Sequence, residues 1–69
     1  MAFNKRQTIK RAKDRYFDLQ PDRGKFSVND DMIEYVLEGM AEDGYDTVKY
    51  HDVIIEAMRA ADDSYEGGY

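Results

Sequence analysis

The chain has 69 residues, with 10 Lys and Arg against 15 Asp and Glu, a formal net charge of −5, and no Cys. A chain of this length predicts one domain with a small core and no deep enzyme pocket, and the lack of cysteine excludes disulfides, thiolate metal sites and thiol nucleophiles. The apolar run Val53–Ile55 has three residues, far below the roughly 20 that span a bilayer, and the N-terminus has no hydrophobic signal stretch. We therefore expect a soluble, cytoplasmic protein that makes no membrane contact.

The charges are distributed unevenly along the chain. Residues 1–25 hold eight basic and three acidic side chains, whereas residues 26–69 hold two basic and twelve acidic ones. Such asymmetry indicates electrostatic attraction, either within the molecule or toward a partner. The sequence leaves both interpretations open.

A first helix is predicted from Lys5 to about Leu19, with Asn4 as its N-cap. Pro21 and Gly24 then break the pattern, so residues 20–25 form a loop. The apolar stripe of this helix follows a spacing of three and four residues and is widened by Phe17; its members are Ile9, Ala12, Tyr16 and Leu19.

A second helix is predicted from Asp30 to about Asp43, where Asn29 is the cap and Gly44 follows the end. Gly39 weakens this helix by roughly 1 kcal/mol relative to Ala, which indicates a close crossing by another element. Its outward line is acidic and consists of Glu34, Glu38 and Glu42; its inward face consists of Met32, Ile33, Val36, Leu37 and Met40.

A third helix is predicted over residues 52–63, with Ile54, Ile55, Met58 and Ala61 on one side. Before it, either Asp46 or Thr47 caps the helix, or residues 47–50 form a short extended segment that pairs with residues 26–28. The predicted fold class is all-α: a small three-helix domain over residues 1–64, with or without these two paired segments. Residues 65–69 are predicted to form a flexible acidic and aromatic tail.

A shift of 22 residues lays Phe26–Glu34 over Val48–Glu56, with Asp, Ile and Glu matched in type. With the Tyr16–Asp18 segment, the turn over residues 21–26 and Asp30 at a helix start, residues 12–58 resemble a distant, degenerate pair of EF hands. The resemblance implies a helix–loop–helix geometry.

Calcium binding by an EF hand requires oxygen ligands at the first, third and fifth places of the loop. In this chain those places fall on Leu19, Pro21 and Arg23 in the first loop and on Ala41, Asp43 and Tyr45 in the second. We therefore expect neither intact calcium loops nor any other metal or cofactor.

No catalytic residue is predicted. His51 is the only histidine, and no Ser or Thr motif accompanies it, so we expect it to cap a helix or to be half-buried. Nothing indicates a pocket that would separate the pKa values of two carboxylates, which acid–base catalysis requires. We expect a non-enzymatic protein.

The acidic line of the second helix is the main functional signal. Like charges four residues apart destabilise an isolated helix by a few tenths of a kcal/mol each, so solvation, the basic first helix or a partner must compensate. We predict an adaptor or inhibitor that docks on a larger protein with a basic surface, including as a mimic of nucleic-acid charge. The candidate partner-binding residues are Glu34, Glu38, Glu42, Asp62, Asp63 and Tyr65.

Two alternatives remain open. The basic first helix could bind nucleic-acid phosphates through Lys10, Arg11 and Arg15, although the acidic body would repel a polyanion. In the other alternative, the chain is a structural subunit of a larger assembly and self-associates.

Overall fold

The computed structural model describes residues 3–21 and 23–65 and contains three helices. They are α1 (Lys5–Asp18), α2 (Asp30–Glu42) and α3 (His51–Ser64). The molecule measures 37 × 20 × 17 Å, with a radius of gyration of 11.6 Å. The predicted all-α, three-helix fold is confirmed.

Asparagine side chains cap the first two helices, as predicted. Asn4 Oδ1 accepts a hydrogen bond from the Gln7 backbone N–H at 2.8 Å, and Gln7 Oε1 accepts one from the Asn4 N–H at 2.9 Å. Asn29 Oδ1 accepts a hydrogen bond from the Met32 N–H at 2.8 Å. Each side chain satisfies an N–H group that has no partner within the helix.

The two extended segments do not pair. Residues 47–50 form a turn, in which the Tyr50 N–H donates to the Asp46 carbonyl at 3.1 Å. Neither Asp46 nor Thr47 is the N-cap of α3, as one alternative predicted, because that position is Tyr50, which makes no side-chain cap bond. The Asp46 carboxylate instead accepts from the Lys49 N–H at 2.9 Å and caps the turn that precedes α3. This side-chain hydrogen bond stabilises a helical turn instead of a strand. Residues 26–28, the other predicted extended segment, have no regular secondary structure.

The core is formed by one face of each helix, and α1 and α3 share the most extensive interface. Small side chains let these two helices approach closely: Ala12 on α1 and Ala57 and Ala61 on α3 are all buried. The other buried apolar residues are Tyr16, Met32, Val36, Met40, Ile54 and Met58. The predicted inward faces are confirmed for these residues except Ala57, whose burial was not predicted.

Two side chains of α1 depart from the predicted stripe. Thr8 is fully buried, and its hydroxyl donates to the Asn4 carbonyl at 2.8 Å, which satisfies the polar group inside the core. Phe17 was expected to widen the stripe, but it is 41% exposed, although its ring lies near those of Tyr16 and Tyr65.

Candidate interaction surface on the second helix

The three glutamates of α2 lie on the exposed side of the helix. Among the described residues, no Lys, Arg or His nitrogen lies within 4.0 Å of the carboxylates of Glu34, Glu38 or Glu42. Arg15 shares a shallow depression with Glu38 and Glu42, but its guanidinium binds elsewhere. Internal ion pairing within the described part of the chain therefore does not compensate for the acidic line.

Two arginines of α1, Arg11 and Arg15, bind Asp43, just beyond the end of α2. The Asp43 carboxylate lies 3.1 Å from Arg15 Nη2 and 3.4 Å from Arg11 Nη2. The hydrogen bond from Arg15, together with that from Arg11 and both positive charges, holds the pKa of Asp43 below its usual value. Two of the three residues proposed for nucleic-acid binding are thus paired with a carboxylate, while Lys10 is exposed and lies in a depression that also contains Asp14.

Gly39 explains how Arg15 reaches Asp43 across α2. A Cβ atom at position 39 would lie 2.6 Å from Arg15 Cζ and 3.0 Å from Arg15 Nη2, well inside van der Waals contact. Only a residue without a side chain leaves this space free. The predicted close crossing at Gly39 is confirmed, and the crossing group is the guanidinium of Arg15.

Unlike the other acidic candidates, Asp62 is half-buried, and its carboxylate contacts other described residues. Its Oδ1 accepts a hydrogen bond from the buried Tyr16 hydroxyl at 2.5 Å and lies 3.3 Å from Lys25 Nζ. The hydrogen bond from Tyr16, together with the hydrogen bond and positive charge of Lys25, lowers the pKa of Asp62. Burial of the Tyr16 hydroxyl, together with its hydrogen bond to the negatively charged Asp62, raises the pKa of Tyr16. Asp62 therefore joins α1, α3 and the loop between α1 and α2.

Asp63 and Tyr65 differ in their surroundings. Asp63 is exposed, whereas Tyr65 is half-buried, with its ring 6.2 Å from that of Tyr16 and 5.7 Å from that of Phe17. Tyr65, the first residue of the predicted tail, packs its ring against α1; the rest of that tail, residues 66–69, lies outside the described part of the chain.

An apolar groove lies beside the acidic line, between the α1–α2 loop and the start of α2. It encloses about 480 Å³, and its aromatic walls are Phe26 and Tyr35, which are 55% and 57% exposed. Leu19, Lys25, Ser27, Asn29, Asp31 and Met32 also line it. Tyr35 borders both this groove and the depression that contains Glu38 and Glu42, so the two features form one continuous surface.

The groove was not predicted from the sequence. One signal was available: Tyr35 lies outside the apolar positions of α2, on its polar side. Exposed aromatic side chains that border a concave surface are typical of binding sites. The position of Phe26 carried no such signal, because only the fold of the loop brings it opposite α2.

Two features bear on the predictions about catalysis and metal binding: the surroundings of His51 and the grouping of acidic residues. His51 is exposed, with Nδ1 3.4 Å from the carboxylate of Asp52. Both of its predicted roles are wrong, because it is not half-buried and it is the first residue of α3, whose N-cap is Tyr50. No cluster of three or more His, Cys, Asp or Glu residues suited to a metal ion occurs within residues 3–21 and 23–65.

The helices that the structure describes are too short and too polar to cross a bilayer. Comparison of the chain with protein-family models, curated proteins and solved structures gives no match. The resemblance to EF hands therefore stays a prediction.

Proposed function

We propose that this protein is a small, non-enzymatic interaction module, an adaptor or inhibitor, that docks on a larger protein through the exposed side of α2. The observation that carries the proposal is the acidic line formed by Glu34, Glu38 and Glu42, which has no ion-pair partner among the described residues. A partner with a basic surface would offset the repulsion between these carboxylates. The same proposal includes a cytoplasmic location, because disulfides are rare in that compartment and this chain has no cysteine.

The apolar groove supports this proposal over simple solvation of the acidic line. Solvated acidic faces need no neighbouring apolar surface, whereas protein interfaces combine an aromatic centre with a charged rim. Phe26 and Tyr35 provide that centre, and Tyr35 also borders the depression that contains Glu38 and Glu42. Because its carboxylate binds Tyr16 and Lys25, Asp62 is left out of the docking surface.

The test is a double charge reversal, Glu34→Lys with Glu38→Lys, compared with Asp18→Lys with Glu56→Lys. All four positions are exposed, and the two variants change the net charge equally. Binding partners are captured from the native source with immobilised wild type and each variant, after circular dichroism has shown that both variants fold. Since juxtaposed like charges cost several kcal/mol, we expect the first variant alone to retain its partner at least about tenfold less strongly.

Equal retention by all three proteins would contradict docking through α2. The nucleic-acid alternative makes a different prediction: retention on heparin with a steep salt dependence, lost when Arg11 and Arg15 are neutralised. The subunit alternative predicts self-association of the pure chain, which sedimentation measures.

A further inference from the structure

The loop wall of the groove is fixed at two adjacent residues, Phe26 by hydrogen bonds within the loop and Lys25 by a hydrogen bond to α3. The Phe26 N–H donates to Gln20 Oε1 at 2.8 Å, and Gln20 Nε2 donates to the Phe26 carbonyl at 3.2 Å. Lys25 Nζ donates to the Asp62 carbonyl at 2.6 Å. The exposed Phe26 ring is therefore carried by a backbone that is already ordered, and a ligand would bear little of the cost of ordering it.

The described residues that line the groove include one acidic and one basic side chain, Asp31 and Lys25. The ammonium group of Lys25 is occupied by the carbonyl and carboxylate of Asp62. Asp31 lies in the groove wall, and the acidic line begins one residue before Tyr35. An apolar ligand that carries positive charge beside its anchor would complement both parts of this surface.

The spacing of the acidic line matches the repeat of a helix. Glu34, Glu38 and Glu42 are each four residues apart, which places them about 6 Å apart along the axis at a rise of 1.5 Å per residue. Lys or Arg side chains four residues apart on a second helix have the same spacing along the helix axis, about 6 Å. Peptides bound as added strands need a free sheet edge, whereas the backbone groups of α2 are used within its own helix.

From these observations we propose that the surface of α2 binds an amphipathic basic helix of another protein, with a large apolar side chain inserted between Phe26 and Tyr35 and a row of Lys or Arg side chains along Glu34, Glu38 and Glu42. This inference rests on the docking function proposed above and specifies the chemistry of the partner.

The test uses designed peptides instead of an unidentified partner. The probe is a fluorescently labelled, alanine-based 18-residue peptide that has Phe and Leu on adjacent turns at one end and Lys at every fourth position over the following three turns. A second version has the anchor at the opposite end, so that both helix directions are examined. In one control peptide, two central Ala residues are replaced by Pro, which prevents helix formation. In another, every Lys is replaced by Glu.

Protein variants separate the apolar and the charged contributions. Phe26→Ala with Tyr35→Ala is expected to weaken peptide binding about tenfold or more, because aromatic anchors dominate interface energies. Replacement of the three glutamates of the line by Gln is expected to weaken it by about three- to thirtyfold, as for three rim ion pairs. The salt dependence of binding should decrease in the same Gln variant.

Control variants remove an apolar side chain or three carboxylates at other exposed positions. Val48→Ser removes an apolar side chain that is 89% exposed and does not line the groove. A triple variant, Asp14→Asn, Asp18→Asn and Glu56→Gln, removes three exposed carboxylates outside the line. Both controls are expected to bind the peptide as wild type does.

Saturable binding of the Lys peptide, weakened by both sets of surface variants and by neither control, supports the inference. The absence of saturation up to about 1 mM peptide, or equal binding of the proline-containing peptide, overturns it. Concentration-dependent NMR shifts at Phe26 and Tyr35 without peptide would assign the groove to a second copy of the chain and would also overturn it.

The two proposals fail separately. If reversal of Glu34 and Glu38 abolishes partner capture while neither Lys peptide binds, the basic helix is refuted and the docking function stands. If the peptides bind as expected while capture is unaffected by the reversal, the basic-helix site is supported and docking on the captured partner through α2 is refuted.

Discussion

The contact between Arg15 and Gly39 gives a quantitative test of how α1 crosses α2. In a helix interior, Gly39→Ala should stabilise the protein by about 1 kcal/mol through helix propensity. In this fold the new methyl group would displace the Arg15 guanidinium and break its 3.1 Å ion pair with Asp43. These two side chains are 23% and 42% exposed, so the pair contributes only about 0.2–1 kcal/mol.

The net effect of Gly39→Ala in the wild-type background is therefore a stabilisation of about 0.5 kcal/mol. Displacement of the Arg15 side chain breaks no hydrogen bond of Nε, because this atom is buried without a partner among the described residues. Moving the side chain therefore adds little to the cost of losing the ion pair. In an Arg15→Ala background the methyl group meets no guanidinium, and the full gain of about 1 kcal/mol should return. For a domain of this size, each kcal/mol corresponds to a shift in Tm of about 4–8 °C.

The assay is urea and thermal unfolding of the four proteins of this double-mutant cycle, followed by circular dichroism. A second cycle that pairs Gly39→Ala with Arg11→Ala is the control, because Arg11 binds the same carboxylate while the atoms nearest to a Cβ at position 39 all belong to Arg15. Equal gains in the wild-type and Arg15→Ala backgrounds would refute the crossing geometry, as would a loss of more than about 1 kcal/mol in wild type.

Three further predictions concern the same core and surface. Tyr16→Phe removes the hydrogen bond to Asp62 and should lower the free energy of unfolding by about 1–2 kcal/mol, less than for a fully buried charged acceptor because water reaches Asp62; an unchanged urea midpoint would contradict this. Because the pKa of Asp62 is lowered from its usual 3.8 in the folded state, its contribution is present above that value and is lost as the pH falls through the lowered one, so Asp62→Asn should flatten the acid side of the stability profile between about pH 5 and 2; parallel profiles for variant and wild type would argue against it. Replacing Glu34, Glu38 and Glu42 together by Gln should raise the free energy of unfolding by a few tenths of a kcal/mol for each relieved pair, and a destabilised variant would reveal a compensating contact within the chain.

Local sequence signals were sufficient to locate the helices. Asn4 and Asn29 were identified as caps because a side-chain oxygen there satisfies N–H groups of the first turn wherever the helix lies, and the structure shows both hydrogen bonds. The buried and exposed faces of α2 were also predicted from local sequence, because the helical period of 3.6 residues determines which side chains lie on the same face.

The segment before α3 was ambiguous from sequence alone. Thr47 and Val48 are β-branched and typical of strands, but Asp46 accepts the Lys49 N–H and directs the chain into a helical turn. Such a short-range choice depends on the side-chain rotamer and on the absence of a strand to pair with, which composition does not reveal.

The sequence by itself determined three amphipathic helices, a basic first segment and an acidic line on α2. Only the tertiary structure decided which opposite charges meet: Arg15 bonds with Asp43 and Lys25 with Asp62, while the acidic line has no partner among the described residues. Helix periodicity is local and can be read from a single chain, whereas ion pairing and the groove between Phe26 and Tyr35 depend on the crossing of elements that are far apart in sequence.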